Sequence, residues 1–193
     1  MDVKRIQLPL AEDVIAALRT GDRVLLSGTL YTARDAAHKR IVEGLAEGVP
    51  APFDLRGAVI YYWGPTPRGA GRPIGAAGPT TSSRMDSYVE ALVSQGVKGF
   101  IGKGERSPEA AEVLRENKVV YFAAIGGLGA LLSLTIKTAV LVAYPDLGPE
   151  AIYKLEVEDF PAIVALDIHG GDAYREAVGR YKEFLQEQAS GTA

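Results

Sequence analysis

"VVYFAAIGGLGALLSLTI", Val119 to Ile136, is eighteen residues long and carries no charge. That length lies near the lower limit for an apolar helix crossing a bilayer. Three glycines, Gly126, Gly127 and Gly129, interrupt it within four positions. They follow a β-branched and aromatic run, so the stretch reads as a buried strand, a tight turn and a short buried helix. Glycine-punctuated runs of this kind belong to the interior of layered α/β domains, whose central strands are apolar on both faces. The stretch therefore predicts an α/β core and no membrane span.

The flanking sequence repeats the alternation. Residues 11–19, "AEDVIAALR", predict a short amphipathic helix, and "GDRVLLSGTLY" from Gly21 turns into a strand. "TARDAAHKRIVEGLAEG" follows as a helix, with Ala33, Ala37, Ile41 and Leu45 at fourfold spacing on one face. "GAVIYYWG" from Gly57 is an apolar strand, and "PTPRGAGRPIGAAGP" an ordered loop with room for one short strand. "GVKGFIG" is a strand, and "SPEAAEVLRENK" a helix capped by Ser107 with Pro108 at its first position. "AVLVAYP" adds a strand, and "AIYKLEVEDFPAIVALDIHG" two more, broken near Asp159 and Pro161. A polar helix begins near Asp172, and residues 187–193 are expected to fray. Strands alternating with helices, then a strand-rich section, predict one α/β domain over residues 1–193 with a mixed, partly parallel sheet.

Composition removes several function classes. The net charge of −3 and a pI of about 5.5 argue against a nucleic-acid or anionic-membrane surface. There is no cysteine, so disulfides and cysteine-ligated zinc or iron–sulfur sites cannot be built from this chain alone. "MDVKRIQLPLAEDV" lacks the apolar core of a signal peptide, which makes the cytoplasm the expected location. "GGLG" does not complete a dinucleotide fingerprint, and there is no G-x-S-x-G or H-E-x-x-H.

Chemistry gathers at three strand-to-helix junctions, each with one cation. In "GPTTSSRMDSYVEAL", from Gly78, an apolar stripe of Met85, Val89, Leu92 and Val93 starts a helix near Ser82 or Ser83. Free N–H groups at such a start, with Arg84 beside them, suit a carboxylate. Thr80, Thr81, Ser82 and Ser83 crowd four hydroxyls where one would cap the helix. In "SGTLYTARDAAHKR", Arg34 sits at a helix start, against the dipole unless an anion is present. Asp35 reads there as plain helix stabilisation, and His38 as a packed or solvated residue. In "GFIGKGE", Lys103 lies between Gly102 and Gly104, whose missing side chains leave room for a ligand. All three cations fall beyond the carboxyl ends of strands, where open α/β sheets bind ligands, and together they suit a dicarboxylate. His169 in "DIHGG" and the aromatics of "YYWGPTP" read as turn chemistry and packing.

"TARDAAHKR", "GPTTSSRMD" and "GKGERSPEA", in that order, resemble the β subunit or C-terminal domain of class I, iron–sulfur-dependent fumarate hydratases. The resemblance continues through "DLRGAVIYYWGP", "KVVYFAAIGG" and "YKLEVEDFPAIVALDIHG", from about Gly21 to Gly171. It implies a swivelling β/β/α three-layer domain that covers a 4Fe-4S cluster held by cysteines of a separate α subunit. It implies fumarate and malate as ligands, bound by Arg34, Arg84 and Lys103, with Thr81 and Ser82 lining the pocket and Thr80 as the proton-transferring hydroxyl. An α2β2 heterotetramer or a β–β contact is the implied assembly, inactive without α. The cluster's open iron would act as a Lewis acid toward the leaving hydroxide. The β subunit of L(+)-tartrate dehydratase shares the general motifs, and a non-catalytic dicarboxylate-binding module is the alternative of a different class.

Overall fold

The computed structural model describes residues 2–190. Strand β1 (Val3–Gln7) leads through helix α1 (Glu12–Ala17) to β2 (Arg23–Thr32) and helix α2 (Asp35–Ala46). β3 (Val59–Tyr61) is followed by a small hairpin of β4 (Trp63–Pro65) and β5 (Ala77–Pro79). A 3₁₀ turn over Ser82–Tyr88 runs into α3 (Val89–Ser94), then β6 (Gly99–Gly102), α4 (Pro108–Glu116) and β7 (Val120–Ala123). α5 (Gly129–Ser133), β8 (Ile136–Ala143), a second 3₁₀ segment (Pro145–Glu150), β9 (Ile152–Leu166) and α6 (Ala173–Ser190) complete the order.

The sheet runs β1-β2-β3-β6-β7-β9-β8, and β9 also pairs with β2. β1, β2, β3, β6 and β7 pair parallel with one another, whereas β9 runs antiparallel to β2, β7 and β8. Because β9 joins β7 back to β2, five strands close into a ring. One apolar core fills that ring and a second lies between the sheet and α2, α3 and α4. The period of two along a strand sorts side chains between them. Val59, Tyr61 and Trp63 enter the first core with Ile101 and Phe122, while Ile60, Tyr62, Phe100 and Tyr121 face the helices in the second. Each such fully buried side chain contributes roughly 1.5–3 kcal/mol. The result is the expected three-layer β/β/α domain with a mixed, partly parallel sheet.

Some expectations are corrected. Residues 152–166 form one strand, not two: Asp159 takes a left-handed φ of 53° yet pairing resumes at Phe160. Opposite it, β2 has a register shift between Leu26 and Gly28, and Ser27 Oγ accepts the Asp159 N–H at 3.0 Å. Gly28 is required there, with φ 117° and Leu8 O only 2.9 Å from any Cβ it might carry. The irregularity bends β9 so that it can serve both ends of the ring. β1 was not anticipated, because its Val-Lys-Arg-Ile-Gln pattern buries only Ile6. The helix after "IGGLG" is not buried as a whole, since Leu131 is 52% and Leu134 beside it 58% exposed. α6 is a helix to Ser190, and residues 191–193, part of the stretch expected to fray, lie outside the described part. The cap of α4 is as expected, with Ser107 Oγ accepting the Ala110 N–H at 3.1 Å. Among the described residues no helix is long and apolar enough to cross a membrane.

Candidate functional site

The parallel strands β3 and β6 end side by side, and the chain leaving the β4–β5 hairpin joins them there. Thr80 N–H donates to Tyr62 O at 2.7 Å, Lys103 N–H to Thr80 O at 3.1 Å, and Ser82 N–H to Lys103 O at 2.9 Å. Thr80–Ser82 thus acts as an extra strand segment that fixes the backbone of Thr80 against that of Lys103. Gly102 makes this possible: a Cβ there would collide with Ser82 Oγ and the Tyr62 ring. The space at that glycine, expected to admit a ligand, is filled by the protein's own chain. Gly104 is needed for a different reason, its φ of 79°. On the far side, "GGLG" also has a packing role, because a Cβ on Gly129 would stand 2.9 Å from Gly78 N.

Arg34 approaches from α2. Its Nη1 and the Thr80 hydroxyl lie 3.6 and 3.7 Å from the point where a Cβ on Gly64 would stand, so Gly64 leaves these two groups facing one small space. Arg34 Nε also meets Asp35 Oδ2 at 3.2 Å, and Arg84 Nε meets Asp35 Oδ1 at 2.8 Å. One internal carboxylate therefore joins the two arginines predicted to form a clamp. Burial opposes ionisation of Asp35, but its own backbone N–H, the Arg34 hydrogen bond and the Arg84 charge outweigh it and hold its pKa below the usual value. The start of α2 has a second internal anion. Arg34 is the N-cap and offers no side-chain cap; Glu150 Oε2 accepts the Ala36 N–H at 2.8 Å and Oε1 lies 3.5 Å from Arg34 Nη2. The anion inferred from an arginine at a helix start is thus present within the chain.

Thr80, Arg34, Arg84 and Lys103 come together on one surface, with Thr81 bridged to Lys103 and exposed. Lys103 is exposed and, among the described residues, has no ion-pair partner; its stem passes 3.5 Å from the Cβ position of Gly126. Ser82 stands apart. It is fully buried, and its Oγ lies 2.8 Å from Tyr121 Oη. Tyr121 donates its proton to Gly104 O at 2.7 Å, so Ser82 is the donor of that pair. No side chain caps the 3₁₀ turn at Thr81, which removes helix capping as the reason for the run of hydroxyls.

Beneath this surface lies a polar layer that the sequence did not disclose. Arg106, with no exposed side-chain area, pairs with Asp86 at 2.8 Å and donates from Nη1 to Tyr62 Oη at 3.2 Å. His38 is buried beside Tyr62 with Nδ1 3.0 Å from Arg34 O. Burial, helped by the Arg106 charge, lowers its pKa to about 4, so it is neutral near pH 7. Burial pushes the Tyr62 phenol up to about 12, against the opposing charge of Arg106. His169 is exposed next to Arg19, and Asp167 accepts N–H groups of Thr20, His169 and Gly171, as turn chemistry requires. Trp63 packs edge-on against Tyr153. The described residues contain no grouping of three His, Asp or Glu side chains able to hold a metal. An apolar cavity of about 200 Å³ between β1, β2, α5 and β9 contains none of the candidate residues. Thr81, Arg84 and Lys103 are exposed, so the cationic group lies open on the surface.

The chain matches the family described as the fumarase C-terminus over residues 1–177. It is 38% identical over 180 residues to fumarate hydratase 2 of Leishmania major, covering 92% of this chain and 32% of the relative. It is 41% identical over 160 residues to the anaerobic class I fumarate hydratase of Escherichia coli K12, covering 82% of this chain and 29% of that protein. A putative L(+)-tartrate dehydratase subunit beta of Methanocaldococcus jannaschii is 39% identical over 184 residues, 92% of this chain and 94% of the relative. The chain thus spans roughly a third of the fumarate hydratases it matches, and nearly all of the tartrate dehydratase subunit. With a family match over nearly its whole length and relatives of class I fumarate hydratase and tartrate dehydratase β-subunit type, the chain belongs to the fumarase C-terminus family.

Proposed function

We propose that this chain is the dicarboxylate-binding half of a class I fumarate hydratase, acting in the reversible hydration of fumarate to L-malate with a separate α subunit. The observation that carries the reading is two arginines on one carboxylate, beside the Thr80 hydroxyl and an exposed Lys103. Removing the weakly acidic C–H proton of malate drives negative charge onto the adjacent carboxylate. Arg34, Arg84 and Lys103 hold that charge, and a cation stabilises it most where charge grows in the transition state. Thr80 transfers the proton. A threonine hydroxyl is a weak base, and the role calls for a cation beside it; Arg34 Nη1 faces the same small space across Gly64. Thr81 lines the same face, and Ser82 contributes from below by holding the segment.

The residues of this chain do not fit a 4Fe-4S cluster, since it has no cysteine and its described residues offer no ligand cluster. We assign the cluster, and the Lewis-acid chemistry it would supply, to the α subunit of an α2β2 assembly. The open form of the cationic face is consistent with a site completed by another chain. The chain alone is expected to show no hydratase activity, and activity is expected to appear on anaerobic assembly with α. Thr80→Val in that complex should lower kcat by roughly a hundredfold with substrate affinity nearly kept. A pure chain that hydrates fumarate unaided would sink the division of labour, and normal turnover by Thr80→Val would remove Thr80 from the mechanism. A second substrate belongs in the same assay: the Methanocaldococcus relative matches end to end, so L(+)-tartrate should be compared with malate.

A further inference from the structure

The buried layer under the cationic face takes no part in the chemistry just described, yet it touches every segment that presents it. Arg106 leaves the end of β6 three residues after Lys103, and its guanidinium turns back beneath the sheet. It lies 5.4 Å from the ring centre of Tyr62, 5.9 Å from Phe100 and 5.5 Å from Tyr121. Its Nη1 donates to Tyr62 Oη, and Nε approaches Asp86 Oδ1 at 2.8 Å without the alignment of a hydrogen bond, so charge holds that contact. Asp86 Oδ2 accepts the Ser107 N–H at 2.8 Å.

We propose that Arg106 is a positioning residue that sets the Thr80–Ser82 segment and the Lys103–Gly104 segment in their mutual geometry. The inference rests on the reading of Thr80 and Lys103 as site residues. Three connections lead from the one guanidinium to them. Tyr62, which receives Nη1, supplies the carbonyl that holds Thr80 N–H. Tyr121, whose ring lies beside the guanidinium, uses its hydroxyl to join Ser82 Oγ to Gly104 O. Asp86 belongs to the 3₁₀ turn that carries Arg84 and ties that turn to the start of α4. A 3₁₀ turn has poor hydrogen-bond geometry of its own, so its orientation needs an outside anchor. Stability does not require an ion pair here, because apolar residues of similar volume replace buried pairs without loss and often with gain. What apolar packing lacks is direction: a planar guanidinium that donates to the Tyr62 phenol, lies against two further rings and faces a carboxylate restricts how the elements that carry them can be arranged.

The test uses Arg106→Met with Asp86→Leu, which removes both charges, and Arg106→Lys, which keeps the charge and loses the fork. Hydrogen exchange of the Thr80, Ser82 and Lys103 amides is measured on the full chain alone, beside the amides of the β2–β9 ladder. The double variant should melt at or above the wild-type temperature while those three amides exchange at least tenfold faster and the ladder is unchanged. Arg106→Lys should speed the same three amides. In the anaerobic complex both variants should lose at least tenfold in kcat/KM. Wild-type exchange at the three amides in a folded double variant overturns the proposal; if that variant does not fold, wild-type exchange in Arg106→Lys overturns it. An intact complex that leaves fumarate, malate and tartrate unchanged would instead sink the functional reading, and the exchange result would stand.

Discussion

Two arginine–aspartate pairs in this molecule have the same 2.8 Å separation and opposite settings. Arg84–Asp35 lies at the surface, with side chains 49% and 30% exposed, whereas Arg106–Asp86 lies beneath it at 0% and 14%. Water screens the first pair, so it contributes little to folding and can open or share its arginine with an incoming carboxylate. In the second pair Arg106 has lost its water and Asp86 most of it, and removing one partner leaves the other charge poorly compensated. On the proposed reading, a substrate carboxylate replaces Asp35 between the arginines, and that exchange needs the weak pair on top. A site that must keep its shape while doing so needs the strong one below.

The largest effect expected from this contrast is on stability. Arg106→Met alone should cost about 3–5 kcal/mol in denaturant unfolding, since Asp86, half-buried and holding only the Ser107 N–H, loses its counter-charge. A loss below about 1 kcal/mol would mean that water reaches the lower pair and that the two layers do not differ. Next comes the upper layer in the assembled enzyme. Arg34→Ala, Arg84→Ala and Lys103→Ala should each lower kcat/KM by roughly a hundredfold or more, as charge-assisted contacts of about 2–5 kcal/mol are lost. Lys39→Ala serves as control, its side chain 64% exposed and paired with Glu43 on the same helix; a critical Lys39 and a dispensable Arg34 would overturn the assignment of the α2 face.

Acid titration sharpens the comparison at a smaller scale. His38 has a folded pKa of about 4 against an ordinary histidine value of 6.5, so the unfolded chain binds the proton more readily between those values. Its contribution to stability therefore falls as pH drops below 6.5 and levels off below about 4, amounting to about 2 kcal/mol between pH 7 and pH 5. His38→Phe should remove that component from the pH dependence of unfolding; an unchanged slope would show that His38 is hydrated. The smallest expected effect is on the upper pair. Arg84→Met should change folding stability by less than about 1 kcal/mol while catalysis suffers the loss stated above. A stability loss as large as that of Arg106→Met would erase the distinction between the layers.

Much of this was legible along the chain. Apolar runs of four to eight residues, glycines at their ends and Ser107–Pro108 at a helix start are local signals, and the strands and α4 lie where they predict. The three junctions that carry Arg34, Arg84 and Lys103 were legible too, since a cation at a strand end is visible without coordinates. β1 was missed because an edge strand with one buried residue has little apolar period. The predicted break near Asp159 does not end the strand, because β2 pairs with residues 154–157 before it and 160–163 after it and so carries the strand through a left-handed residue. Asp35 looked like a helix-stabilising residue, and nothing along the sequence says that Arg84, far along the chain, returns to it.

By itself, then, the sequence determined the α/β class, the absence of any cysteine ligand, and which strand ends carry cations and hydroxyls. Local chemistry and periodicity act over a few residues and are written in order. Only the tertiary structure decided which carboxylates sit among those cations, that Ser82 faces inward to Tyr121 while Thr80 faces Arg34 across Gly64, and that Arg106 lies below. Those facts depend on closure of the sheet by β9 and on the order β3-β6-β7, which bring residues 34, 64, 80, 103 and 121 to one place. Burial and pairing are properties of that place. The charge on an arginine is the same wherever it stands, and the water around it is not.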